Sequence, residues 1–342
     1  MKWHLLIGLS AFLFCAGCRP AKPVLRLYCW ADYIKPSLVS QFEEETGCRV
    51  AMDTFDSNAA MLAVLEQGSA PYDLVFPSDY FLSAIMTRGW LQPINHQLVP
   101  NLKHLDPGHL KMISDKTSEH SVPYMVCITG IAYRKSLFPQ ARPSWRMFGR
   151  TDLKGRMTLL DDARETIGAA LKMLGFSLNT TNDIELAAAR DAVMQWKNNS
   201  ARFDNTEFRS GLATGTLALA QGYSGDLLPA VAANADIVCA VPDEGAAISY
   251  DLMVIPQGAR HVELAHRFIN FLHDPNIAAE NMEFVMFLCP NKPAYDLLSP
   301  EVRSNAVVFP MPEILTRLEV VRDLGPDNAK YNRIWDQIKA AN

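Results

Sequence analysis

A strand–helix–strand pattern near the start of the chain places the strongest limit on its fold. The apolar run at 25–30 predicts a buried strand, and Pro36 and Gly47 mark the two ends of the helix that follows it. Residues 48–55 predict a second strand, and residues 72–76 predict a third after another helix. Strands joined by a single helix run parallel with a right-handed connection. The sequence therefore predicts an α/β fold whose loops at the carboxyl ends of the strands face a ligand crevice.

A second strand-to-helix junction carries a cluster of acids. Residues 157–160 predict a strand, and a helix is predicted to follow over 162–174. Asp162 and Glu165 have the three-residue spacing of an N-terminal capping box, although ligands of α/β proteins also bind at such junctions. Capping and binding are compatible, because Asp162 can cap the helix through one oxygen and present the other. The helix N-terminus is expected to lower the pKa of both acids and so to keep them charged.

The length of 342 residues and two long apolar stretches predict two lobes. The stretches at 122–133 and 248–256 could each carry the chain from one lobe to the other. Further elements are predicted as a helix over 181–197, strands at 217–220 and 237–241, and helices at 261–272 and 275–286. The resulting division comprises a discontinuous first lobe at 25–127 and 252–303, a second lobe at 128–251, and a C-terminal helical segment at 304–342 whose lobe is left open.

The N-terminus has the features of an export signal. Lys2 precedes an apolar run over 5–16 that is too short for a permanent membrane-spanning helix and is typical of a signal peptide. The small residues before Cys18 resemble the processing box of bacterial lipoproteins, which predicts a signal peptide at 1–17 and lipidation of Cys18. A plain secretory signal cleaved nearby is the alternative. Either interpretation exports the mature protein, and a lipid on Cys18 would hold it at a membrane surface.

Composition and spacing argue against several functional classes. The formal charge of −5 and the lack of a basic cluster argue against nucleic-acid binding, which needs a basic face. No cysteine or histidine spacing indicates a metal site, and both His104 and His109 are predicted to lie at the surface. Apart from Cys15 and Cys18 the chain has five cysteines, an odd number, so at least one of them is unpaired or joined to another chain. They are Cys29, Cys48, Cys127, Cys239 and Cys289.

Short motifs occur in a specific order along nearly the whole mature chain. They include 30–33 (WADY), 56–58 (DSN), 72–78 (YDLVFPS), 161–165 (DDARE), 223–226 (YSGD) and 250–251 (YD). In this order they resemble the periplasmic spermidine/putrescine-binding proteins, which are the polyamine receptors of ABC importers. The resemblance implies a type II periplasmic-binding-protein fold, in which two α/β lobes close on a ligand by a hinge motion without catalysis. It also implies a polyamine ligand, a membrane permease as partner, a monomeric receptor and no cofactor.

The resemblance also assigns ligand contacts to individual residues. A polyamine needs carboxylates for its ammonium groups, and aromatic rings for its methylenes and cations at about 0.5–2 kcal/mol per ring. Trp30 and Tyr33 correspond to a stacking pair of the family. Asp32 and Asp226 correspond to acids that putrescine-type members use. The full predicted set is Trp30, Asp32, Tyr33, Ser78, Tyr80, Asp162, Glu165, Tyr223, Asp226 and Asp251.

Three positions depart from the family's pattern. Ser249 stands where spermidine-type members have a Trp, Phe287 where a Tyr is usual, and Val321 near a contact Gln. Loss of one stacking ring, worth about 1 kcal/mol, would weaken binding several-fold. The acids are retained while the aromatic wall is thinner, so the length of the ligand stays open. Tyr250 is a further candidate for the aromatic wall, and Asp79 is predicted to be a solvated loop acid.

Other functions stay open on the sequence alone. A receptor for a different cationic small molecule, such as agmatine or a basic amino acid, would keep Glu165 and Asp251 but fill the space at Ser249 differently. A two-lobed enzyme would need basic or nucleophilic residues in the cleft, and the motif loops offer almost none. No GxGxxG, GxSxG or P-loop motif supports that class. Ferric-ion binding by clustered tyrosines is weakened because no histidine joins them in the crevice loops.

Overall fold

The structure, a computed structural model, describes residues 22–68, 71–140, 142–310 and 312–341. The predicted signal peptide at 1–17 and the predicted lipidation site Cys18 lie outside these ranges. Among the helices within them, none is both long and apolar enough to cross a membrane.

Strands and helices alternate along the chain, as an α/β fold requires. The strands are β1 Val24–Trp30, β2 Arg49–Phe55, β3 Leu74–Val75, β4 Val122–Arg134, β5 Met157–Leu159, β6 Arg202–Phe203, β7 Leu219–Tyr223, β8 Ile237–Ala240, β9 Ala247–Met253 and β10 Glu319–Val320. The α-helices are α1 Pro36–Thr46, α2 Asn58–Glu66, α3 Leu82–Met86, α4 Pro107–Leu110, α5 Ala163–Leu174, α6 Asp183–Asn199, α7 Phe208–Thr214, α8 Ser224–Ala233, α9 Val262–Leu272, α10 Pro275–Val285, α11 Pro300–Arg303, α12 Pro312–Leu315 and α13 Asn328–Ala340.

The first sheet has the order β2-β1-β3, with both pairs parallel. Pro36 occupies the first turn of α1, and Gly47 ends the helix with a φ of 71°, a left-handed conformation that glycine adopts without steric cost. The predicted strand–helix–strand unit is therefore confirmed. Helix α9 packs on this unit, since the rings of Phe42 and Phe268 lie 4.8 Å apart.

The third strand is shorter than predicted, because its ladder includes only Leu74 and Val75. The residues on either side still bond to β1 through their backbones. The amide of Asp73 donates to Arg26 at 2.8 Å, and that of Phe76 donates to Tyr28 at 3.0 Å. The two-residue strands β6 and β10 were not predicted, because so short a strand has no periodicity to detect. The helices α7 and α8 were not predicted either.

The second sheet is mixed, with the order β10-β9-β4-β7-β5-β6 and with β8 also paired to β4. Strand β5 pairs in parallel with β6 and β7, whereas β4 runs antiparallel to β7, β8 and β9. Strand β7 begins two residues later than the predicted strand at 217–220 and continues to Tyr223. This extension places Tyr223 at the carboxyl end of a strand.

The two long apolar stretches form β4 and β9, which lie side by side and connect the two sheets. Backbone bridges between Ser78 and Asp251 and between Val75 and Val254 join β9 to the residues around β3. The C-terminal helix α13 packs on α5 and α6. The Tyr331 hydroxyl donates to the carbonyl of Leu178, in the segment between those two helices, at 2.9 Å. The exact boundaries of the two lobes stay a prediction.

Candidate ligand-binding cavity

A cavity of about 440 Å³ lies between the two sheets. Residues that follow β1, β2, β3, β5 and β7 line it, together with residues of β4 and β9, so the carboxyl ends of the parallel strands face it as predicted. Nine of the predicted contact residues are in the lining, namely Trp30, Tyr33, Ser78, Tyr80, Asp162, Glu165, Tyr223, Asp226 and Asp251. Asp32 is not, because it is exposed in the loop after β1, with a φ of 55°.

The acidic junction at the start of α5 combines a helix cap with a second, buried acid. Oδ1 of Asp162 accepts hydrogen bonds from the amides of Arg164 at 2.8 Å and Glu165 at 3.0 Å, so this residue caps the helix through one oxygen. Glu165 does not complete a capping box. Its carboxylate instead accepts a hydrogen bond from the Thr129 hydroxyl on β4, and the side chain is buried. The cap therefore comes from Asp162 alone, which leaves Glu165 available to a ligand.

The predicted net pKa shift of these two acids was wrong in sign. Burial, together with the neighbouring charge of Asp162, raises the pKa of Glu165 to about 8. Burial also raises the pKa of Asp162, against the opposing effect of its two backbone hydrogen bonds. The loss of hydration outweighs the dipole because both carboxyl groups are held in the cavity wall, with Asp162 partly buried and Glu165 buried. Burial therefore favours the protonated form of Glu165 at neutral pH, and a cationic ligand would favour the charged form.

Asp251 is held in place by hydroxyl groups from the first sheet. Its Oδ2 accepts from the Tyr33 hydroxyl at 2.6 Å, and its Oδ1 accepts from the Ser78 hydroxyl at 2.6 Å. Asn58 orients Ser78, because its amide donates to the Ser78 hydroxyl at 3.0 Å and its carbonyl accepts from the Ser78 amide at 3.0 Å. Burial raises the pKa of Asp251. Asn58 was not predicted as a site residue, although it belongs to the 56–58 motif.

The aromatic wall differs from the predicted stacking pair. Tyr33 is buried and serves mainly as the hydroxyl donor to Asp251, with its ring edge-on to Phe287 at 5.8 Å. Trp30 lines the cavity and packs edge-on to Phe55 at 4.5 Å. Tyr80 and Tyr223 complete the wall. These rings provide apolar surface between the acids, against which the methylene groups of a ligand would pack.

Three nearby residues were predicted wrongly. Tyr250 is buried away from the cavity, and its hydroxyl bonds with Nδ1 of His109 at 2.9 Å, so it is not part of the aromatic wall and His109 is not a free surface residue. Asp79 is buried and not solvated. Its carboxylate accepts from the amide of Ser114 at 2.9 Å and from the Ser114 hydroxyl at 2.8 Å, which fixes the loop at 79–81 to the segment that carries Ser114.

Of the three residues that depart from the family pattern, two line the cavity and one lies behind its wall. Ser249 and Phe287 line the cavity, so the smaller side chain at 249 enlarges the space beside the acids. Val321 is buried with Leu178 and packs against Tyr80 from behind, so it supports the wall without lining it.

An arginine that was not predicted lies in the cavity wall. Nη1 of Arg209, on α7, lies 3.5 Å from Oδ1 of Asp226 at the start of α8. The pKa of Asp226 is raised to about 6, mainly by burial and further by the charge of Asp32, against the lowering effect of the Arg209 guanidinium. Asp226 is thus a ligand-facing acid that already has a cationic partner.

The cysteines of the described ranges are all free thiols. Cys127 is the one among them that lines the cavity, where its Sγ lies 3.6 Å from Oδ2 of Asp251. Burial and the adjacent Asp251 raise the pKa of this thiol well above its ordinary value. In the part of the chain that the structure describes, no cluster of three or more His, Cys, Asp or Glu side chains is arranged to hold a metal ion.

Comparison with known proteins finds relatives along nearly the whole chain. Residues 37–310 match the family described as bacterial extracellular solute-binding protein. The spermidine/putrescine-binding periplasmic protein of Salmonella typhimurium is 32% identical over 344 residues, which cover 99% of each protein.

Two solved structures are similar in both sequence and fold. One, from Listeria monocytogenes, is a proposed spermidine/putrescine ABC transporter with 37% identity and a TM-score of 0.88, and the match covers 93% of this chain and 99% of the other. The second is the TpPotD lipoprotein of Treponema pallidum, with 32% identity, a TM-score of 0.83 and coverage of 92% and 99%. These similarities confirm the predicted type II two-lobed fold.

Proposed function

This chain belongs to the family of bacterial extracellular solute-binding proteins, and we propose that it captures a polyamine of the putrescine or spermidine type outside the cytoplasm. Two lobes close on the ligand. The first comprises residues 25–127 and 252–303, and the second comprises residues 128–251. The loaded protein then delivers it to the membrane permease of an ABC importer. The name of the Salmonella relative supports the ligand, and that of the Listeria structure supports the transporter.

The observation that carries this proposal is the set of acids and rings on one cavity. Four acids line the cavity from three elements. Asp162 and Glu165 lie at the start of α5, Asp226 at the start of α8, and Asp251 on β9. A buried carboxylate is costly unless a cation or hydrogen-bond donors compensate it, and the raised pKa of all four acids expresses that cost. A ligand with two or more ammonium groups on an apolar chain would compensate the acids and cover the rings.

We assign no catalytic role to the cavity. Its one thiol, that of Cys127, has a raised pKa, whereas a nucleophilic cysteine needs a lowered one. Binding and release of a ligand, as proposed for this chain, need no covalent step.

A lipid anchor on Cys18 is part of the proposal. The Treponema structure with 32% identity is a lipoprotein, which supports it. In a bacterial host, the wild-type protein should fractionate with membranes and take up labelled palmitate, whereas Cys18→Ala should do neither. Release of the wild-type protein as a soluble, unlabelled species would instead support a plain secretory signal.

Isothermal titration of the purified protein tests the ligand. We expect heat of binding and a single site with putrescine or spermidine. Another cation, such as agmatine or a basic amino acid, is the second candidate, because the small side chain of Ser249 leaves space beside the acids for a different ligand. Lysine, arginine and agmatine therefore belong in the same series. Binding of one of these without binding of either polyamine would refute the polyamine assignment and retain a receptor for another cation.

A further inference from the structure

We propose that Arg209 is a resident counterion that occupies the ammonium position at Asp226, so that the cavity prefers a diamine to a triamine. This inference rests on the proposed polyamine function and specifies which class of polyamine the receptor takes.

The geometry places a guanidinium where a ligand cation would otherwise lie. Arg209 and Asp226 both line the cavity, and their charged groups approach to 3.5 Å. Nε of Arg209 also donates to the carbonyl of Thr206 at 3.4 Å, which holds the side chain along the wall. Both side chains are only partly exposed, at 32% for Arg209 and 25% for Asp226. The pair is therefore positioned within the cavity and is still open enough to be disturbed by a ligand.

The other buried acids of the cavity have no such partner. Among the ion pairs of the described ranges, none involves Asp162, Glu165 or Asp251, whose hydrogen-bond donors are backbone amides, hydroxyls and the Cys127 thiol. Two groups of acids are thus free to receive an ammonium, the pair at the start of α5 and the single acid on β9. Two ammonium groups match this arrangement.

A third ammonium would meet an unfavourable environment. At Asp226 a third ammonium would be repelled by the positive charge of Arg209. Otherwise it would have to displace the Arg209 side chain and lose its own hydration at that position. Ser249 adds to this effect, because the missing ring leaves less aromatic surface for a longer methylene chain. A ligand carboxylate gains little from Arg209 either, since Asp226 lies beside the guanidinium and repels it.

The test compares putrescine and spermidine on the full mature protein by isothermal titration. The wild type should bind putrescine about tenfold more tightly, a difference of about 1.4 kcal/mol. Arg209→Gln should strengthen spermidine binding and abolish or reverse this preference. Arg209→Met serves as a second variant of similar length, and the melting temperature of each confirms that it folds. The matched control is Arg303→Gln, since Arg303 pairs with Asp296 on the surface, outside the cavity lining.

A double-mutant cycle shows whether Arg209 acts through Asp226. In the background of Asp226→Asn, the Arg209→Gln substitution should no longer increase spermidine affinity. The inference is overturned if the wild type binds spermidine as tightly as putrescine, or if both Arg209 variants leave the ratio unchanged. If the wild type binds neither polyamine, the proposed function itself fails. That outcome differs from a loss of selectivity alone, in which both polyamines still bind.

Discussion

Replacement of Glu165 by Gln removes the acid whose charge state changes most strongly on burial. Its pKa rises from the ordinary 4.5 to about 8 on burial, which at about 1.4 kcal/mol per pH unit corresponds to roughly 4–5 kcal/mol. At pH 7 most of the ligand-free molecules therefore hold a proton on this carboxyl. An ammonium binds the charged form, so ligand binding should release up to about one proton from Glu165.

The proton release is measurable by titrating putrescine at pH 7 in phosphate and in Tris, whose ionisation enthalpies differ. The wild type should release more protons than Glu165→Gln, and its affinity should increase from pH 6 to pH 8. Above pH 8 the variant should bind more than tenfold more weakly than the wild type, because an amide cannot provide the charge. Glu44→Gln, an exposed substitution on α1, is the control and should behave as the wild type.

The same substitution predicts an effect on the stability of the ligand-free protein. A carboxyl whose pKa is raised in the folded state contributes stability below its ordinary pKa of 4.5 and loses that contribution as pH rises through about 8. The wild type should therefore lose thermal stability between pH 5 and pH 8, and Glu165→Gln should lose less. Equal proton release and equal pH profiles for the two proteins would refute the reasoning about this residue.

Three further substitutions test other parts of the site. Asp251→Asn should reduce polyamine affinity at least tenfold in titration while raising the melting temperature of the ligand-free protein at pH 8, because the buried charge is removed. Asp79→Ala should lower the free energy of unfolding by about 1–3 kcal/mol in denaturant melts, since the Ser114 donors lose their acceptor, and should leave affinity within about twofold. Gly225→Ala should weaken binding in titration, because the added Cβ would overlap the backbone carbonyl oxygen of Val285, where α8 approaches α10. Unchanged affinity in this variant would show that the approach of α8 to α10 is not part of ligand capture.

Local patterns were sufficient to predict most of the residues that line the cavity, because strand ends collect residues at one edge of a sheet. The turn signals at Pro36 and Gly47 defined the first parallel unit, in which Trp30 ends the first strand, and Ser78 follows the third strand of the same sheet. The motif order then specified the other predicted residues of the lining. The resemblance could name these positions, but it could not say that Tyr33 contributes a hydroxyl to Asp251, which depends on the side-chain packing.

The features that sequence reasoning missed depend on contacts between distant segments. Arg209 belongs to no motif, and its role arises only when α7 packs beside the start of α8. Asp79 looks like a loop acid until the segment carrying Ser114 closes over it. The pKa of Glu165 was predicted with the wrong sign because a helix dipole can be read from the sequence, whereas the depth of burial cannot.

The position of Asp251 on β9 has a consequence for the kinetics of binding. This acid is held by Tyr33 and Ser78 and lies on one of the two strands that connect the sheets, so we expect it to move little when the proposed lobes open and close about those strands. Glu165 lies at the start of α5, where Thr129 of β4 donates to it, and we expect it to move with the second sheet. An incoming ligand would then bind Asp251 in the open protein and reach Glu165 only on closure. We expect substitutions of Asp251 to slow association and substitutions of Glu165 to shorten the residence time of the bound ligand.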